Sequence, residues 1–141
     1  MKEEKLLEEI CQSANTGVYS INTLLPKVRD SSISEELMSH RSKLEEIART
    51  AQQMMLDRKI EPDKTGAISK MGIWTGVQMN TMIDSSPSHI ADMVIQGDTM
   101  GITKMTRELN QSAAEDPRVR QLGEELVNTQ RRNIEILKKY L

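Results

Sequence analysis

At 141 residues with a formal net charge of −2, the chain is long enough for one domain that buries about two-thirds of its unfolded surface. Charged residues make up 28% in mixed sign, which argues against disorder and against the basic footprint of a nucleic-acid partner. Phe is absent and Trp occurs once, so the aromatic platforms of single-strand binders are missing too. No stretch reaches the roughly 18 apolar residues a membrane span needs. A lone Cys11 cannot form an internal disulfide and suits a reducing compartment. The opening MKEEKLLEEI holds no apolar signal core, and a cytoplasmic location is expected.

In chain order, residues 2–29 carry Leu7, Ile10, Ala14, Gly17/Val18, Ile21 and Leu24 at spacings of three and four. This predicts a long amphipathic helix, with Pro26 closing its last turn. Ser32 and Glu35 fit a capping box, and Leu37, His40, Leu44, Ile47, Ala51 and Met55 predict a second helix over 33–58. So short a connection makes the pair an antiparallel hairpin. Pro62, Asp63 and Gly66 mark a loop, and a shorter helix is predicted over 67–83. Ser86-Pro87 and Asp116-Pro117 are cap-then-proline starts for helices over 87–111 and 117–140. No segment alternates with period two, so no strand is expected. The core should consist of Leu, Ile, Val, Ala and the ten Met. Two hairpins joined by a long crossover with its own short helix give an all-α, ferritin-like antiparallel four-helix bundle in one domain, 1–141.

Gly72/Gly76 and Gly97/Gly101 are costly, since a helical Gly gives up roughly 0.5–1 kcal/mol against Ala. Close helix packing is the plainer explanation, and a ligand groove beside Gly97/Gly101 the sharper one. Ile73, Trp74 and Val77 project opposite the face of the third helix that should meet the bundle. With Ile95 and Ile102 they could form a covered patch, and a homodimer anchored by Trp74 is expected.

Residues 55–74 (MLDRKIEPDKTGAISKMGIW), with Cys11 and Gly17 in the first helix, resemble a bacterial ferritin-like family of unknown function. The resemblance implies the fold and carries no activity. Metal sites on that fold need Glu-x-x-His pairs and inward carboxylates. The sequence has no Glu-x-x-His, and the predicted inward stripes hold no Asp or Glu, so neither a metal nor another cofactor is expected. His40, Gln130 and Asn133 fall near the core seam. They read as a small polar network, with Thr129, Asn15 or Thr16 as partners for the amides, or alternatively as a ligand pocket. His89 is expected in solvent. Three functions follow: a non-catalytic structural or interaction protein that self-associates, a metal-binding or oxidoreductase relative of ferritins, and a small-ligand-binding bundle. The first is expected, because no inward set of titratable groups can be assembled.

Overall fold

A computed structural model describes residues 2–61 and 84–141. The helix expected at 67–83, with Gly72, Ile73, Trp74, Gly76 and Val77, lies outside the described residues. Within them the chain is all-helical, with four long helices and no strand: α1 (Glu3–Leu24), α2 (Ser31–Asp57), α3 (Pro87–Gln111) and α4 (Pro117–Leu137). None is long and apolar enough to cross a membrane.

The helix ends follow from local chemistry. Glu3 and Glu4 in the first turn of α1 lie at the positive end of its dipole. Pro26 has no N–H to continue the ladder, and the chain tightens into a single 3-10 turn, Leu25–Lys27. The cap of α2 corrects the expected capping box: Asp30, not Ser32, accepts from Ile33 N–H at 3.0 Å. The Ser32 hydroxyl is used elsewhere, 2.6 Å from the Tyr140 hydroxyl. At the other end of α2, Ile60 N–H reaches Met55 O and Lys59 N–H reaches Leu56 O, with Lys59 at φ 56°. That is a Schellman turn with Lys in the position that favours Gly, at a cost of about 1 kcal/mol. Ser86 and Asp116 cap α3 and α4 and each is followed by Pro.

The core forms because each helix presents one apolar stripe, and each fully buried Leu, Ile or Met contributes about 1.5–3 kcal/mol. Leu6, Leu7 and Ile10 of α1, Leu37 and Leu44 of α2, Ile90 and Met105 of α3, and Leu126 and Leu137 of α4 have almost no exposed surface. The expected methionine-rich core needs correction. Among the described methionines only Met55 and Met105 are buried, while Met38 and Met100 stand exposed. A flexible thioether is dispensable where Leu and Ile already fill the stripe. Leu141 is also exposed.

The closest helix pairs are α1 with α2 and α3 with α4, then α2 with α4, and α1 touches α3 least of these. One end of the bundle is tied by charge. Arg58 reaches Glu3 at 3.2 Å and Asp116 at 2.6 Å, and Asp116 N–H donates to Glu3 Oε1 at 2.7 Å. Arg118 also grips Asp116 at 2.8 Å. Hydrogen bonds from Arg118, followed by the charges of Arg118 and Arg58, lower the Asp116 carboxyl from 3.8 to about 2. At the same end, the space where Gly123 would carry a Cβ is taken: Leu109 Cδ2 would lie 2.9 Å away and Ile10 Cδ1 3.3 Å.

Candidate functional site

Higher in the bundle, an open cavity of about 520 Å³ lies between α1 and α3. Its α1 wall is built from short or polar side chains: Gln12, Ser13, Thr16, Gly17 and Ser20, before Ile21 and Leu24. Its α3 wall runs Met93, Val94, Gly97, Asp98, Met100, Gly101 and Lys104, and His40, Leu44 and Gln130 form the floor. The spacing on both walls is that of one helical face. At 1.5 Å rise per residue, the α1 wall is about 18 Å long. Small residues stand where a packed bundle needs Leu, which explains why the space stays open.

The three glycines of this region do two different things. A Cβ on Gly17 would fall 2.7 Å from Leu44 Cδ1, and one on Gly101 would fall 2.4 Å from Gln130 Nε2. These two let floor side chains lie close beneath them. At Gly97 a Cβ would meet none of the described residues within 4 Å. Gly97 therefore makes no close helix contact among the described residues, and it borders the cavity instead.

Beneath the cavity lies a buried polar array. His40, Asp98, Gln130 and Asn133 are each at least nine-tenths buried. Asn133 Nδ2 donates to Asp98 Oδ2 at 2.8 Å, and His40 Nε2 stands 3.4 Å from Asp98 Oδ1. A carboxylate only accepts, so Nε2 is the donor in that long contact. Gln130 Oε1 is buried and has no hydrogen-bond partner. An orphaned buried amide oxygen costs roughly 1–3 kcal/mol, and Gln130 is one of the residues that line the cavity.

This array corrects the sequence reading at its centre. Asp98 is buried within the bundle, as is Glu108, although the inward stripes were expected to lack acids. The signal was there: Ala91, Val94, Asp98, Met105 and Glu108 share the three-and-four spacing of the α3 stripe. Asn133 takes Asp98 as partner in place of Asn15 or Thr16; Asn15 Nδ2 instead donates to Cys11 Sγ at 3.5 Å. Thr129, another expected partner, accepts from Arg132. His89 is half-buried and not in free solvent, with its Nε2 out of water's reach and without a partner. Ile95 and Ile102 are half-buried against the core.

A second polar cluster closes the lower end of the cavity. Lys104 Nζ lies 3.1 Å from Glu9 Oε2 and 4.0 Å from Glu108 Oε1, and Lys5 reaches Glu9 at 3.2 Å. Burial pushes Glu108 above the ordinary carboxyl value and the neighbouring Glu9 charge adds to it. Burial also acts upward on Glu9, but Lys104 and Lys5 together outweigh it and leave that carboxyl lowered. Cys11 is pushed up by burial, which keeps it a thiol and a poor nucleophile. Among the described residues no three His, Cys, Asp or Glu gather into a group that could hold a metal ion. No family model, curated protein or solved structure matches the chain.

Proposed function

We propose that this protein is a non-catalytic, small-ligand-binding helical bundle whose site is the hollow between α1 and α3. The observation that carries this reading is the cavity of about 520 Å³ walled by a buried carboxamide with an unpartnered oxygen. Ligand pockets are mostly apolar spaces of about 300–1,000 Å³ with a few convergent polar groups. The walls supply Ile21, Leu24, Leu44, Met93 and Val94 on the apolar side and His40, Asp98 and Gln130 on the polar side. The structural and interaction reading expected from the sequence rested on finding no inward titratable set. Asp98 beside His40 removes that premise.

The ferritin-like arrangement belongs to the same proposal. Contacts descend one helix as they climb its neighbour: Cys11 with Ala48 and Asn22 with Arg41, then Asp98 with Asn133 and Leu109 with Arg120. Tyr140 with Ser32 and Asp116 with Arg58 run the same way between α2 and α4. These pairings support two antiparallel hairpins joined by a long crossover, the order of ferritin-like bundles.

Saturable binding of the fluorescent probe N-phenyl-naphthylamine tests the reading. Wild type is expected to take up one probe per chain. Gly97→Leu, which places a side chain in open space, should weaken it by about tenfold or more without loss of helix. No saturable binding, or equal binding by the two proteins, would reject the site.

A further inference from the structure

The described lining of the hollow holds one carboxylate, Asp98, and its one Lys is paired with Glu9, and we infer that its ligand is an organic amine: an apolar body carrying an ammonium group that binds at Asp98 beside Gln130. This rests on the ligand-binding reading above and names the chemical class.

An ionised carboxylate offers about four lone-pair positions. Asp98 receives one short hydrogen bond, from Asn133 at 2.8 Å, and one long contact, from His40 at 3.4 Å, so its capacity is only partly used. Gln130, packed against Gly101 one helical turn along α3, adds a carboxamide whose buried oxygen has no partner and whose nitrogen carries two donors. Ser20 donates its hydroxyl hydrogen to Thr16 O at 2.8 Å, which leaves only lone pairs to face the cavity. Lys104 is the one Lys or Arg among the described lining residues, and Glu9 already holds it at 3.1 Å.

Among the described lining residues the hollow therefore presents one partly satisfied carboxylate and no free Lys or Arg. A bound carboxylate or phosphate would face the Asp98 carboxylate without a countercharge. An alcohol could supply one donor but no charge. An ammonium group supplies three donors and the charge opposite to Asp98. The remaining wall, Ile21, Leu24, Met93 and Val94, suits the apolar body of such a molecule.

Calorimetric titration of three probes with the same aromatic body decides the class: phenethylamine, phenethyl alcohol and hydrocinnamate. Wild type should bind the amine about ten- to a hundredfold more tightly than the alcohol, the range of a charge-assisted hydrogen bond, and the acid most weakly. In Asp98→Asn, which keeps the shape and removes the charge, the advantage of amine over alcohol should nearly vanish. Gln130→Met keeps the charge and should reduce amine binding only in part. If the alcohol or the acid binds wild type as well as the amine, the class is wrong while the cavity stands as a binding site. The class is also overturned if the amine preference survives in folded Asp98→Asn. If none of the three binds and N-phenyl-naphthylamine does, the class falls alone. If no probe binds, both readings fall. Should Asp98→Asn not fold, the order of the three probes on wild type still decides.

Discussion

Gly123 on α4 and Gly97 on α3 belong to helices that pack against each other, yet their surroundings are opposite. Leu109 and Ile10 crowd the space beside Gly123, whereas none of the described residues lies within 4 Å of the same point at Gly97. The charged groups divide the same way. Asp116, at the packed end, is held by two arginines, while Asp98, under the hollow, has one short donor and one distant one. A helical glycine thus has no fixed meaning. Where the facing residues are long it allows a close approach, and where they are Ser, Thr and Gly it leaves a void.

The sharpest way to break this contrast is to add side chains at the two glycines. Gly123→Val should lower stability by about 1–3 kcal/mol, since overpacking a filled core forces Leu109 and Ile10 aside. Gly97→Ala should raise stability by about 0.5–1 kcal/mol, because the methyl group meets nothing and the backbone loses unfolded-state freedom. Urea unfolding of both variants checks the pair. Two losses, or two gains, would mean that the two ends of the bundle are packed alike.

The carboxyls sharpen the comparison with smaller effects of opposite sign. Burial raises Glu108 above 4.5 in the folded protein, so ionisation works against folding as pH rises through that raised value. Glu108→Gln should therefore be more stable than wild type at neutral pH and equal to it well below pH 4.5. Asp116 is lowered from 3.8 to about 2. Its contribution is fully present above pH 3.8 and is lost as pH falls toward about 2. Asp116→Asn should be less stable than wild type at neutral pH, with the difference fading in that acid window. Thermal melts across the range measure both.

Much of the helical plan was legible because it is local chemistry. The three-and-four spacing located all four described helices, and Ser86-Pro87 and Asp116-Pro117 started two of them. Asp30 displaced Ser32 as a cap because an aspartate oxygen reaches the same N–H while Tyr140, far along the chain, engages the serine. The candidate site was half legible. His40, Gln130 and Asn133 stood out as polar residues on apolar faces. Asp98 did not, because the apolar arc of α3 was drawn from its hydrophobic members alone, and a buried acid is invisible until its partners on α2 and α4 are known. The hollow depends on how short residues on α1 and α3 face each other, and spacing within one helix cannot report that.

The central claim, that the hollow between α1 and α3 receives a ligand, is tested most directly by amide and side-chain chemical shifts during titration with N-phenyl-naphthylamine. The account predicts saturable changes gathered at Gly97, Asp98, Gly101 and the Gln130 carboxamide, with Gly123 and the Glu3–Arg58–Asp116 end unmoved. Shifts that do not saturate, or that spread over the exposed faces and spare Gly97 and Gln130, would contradict it.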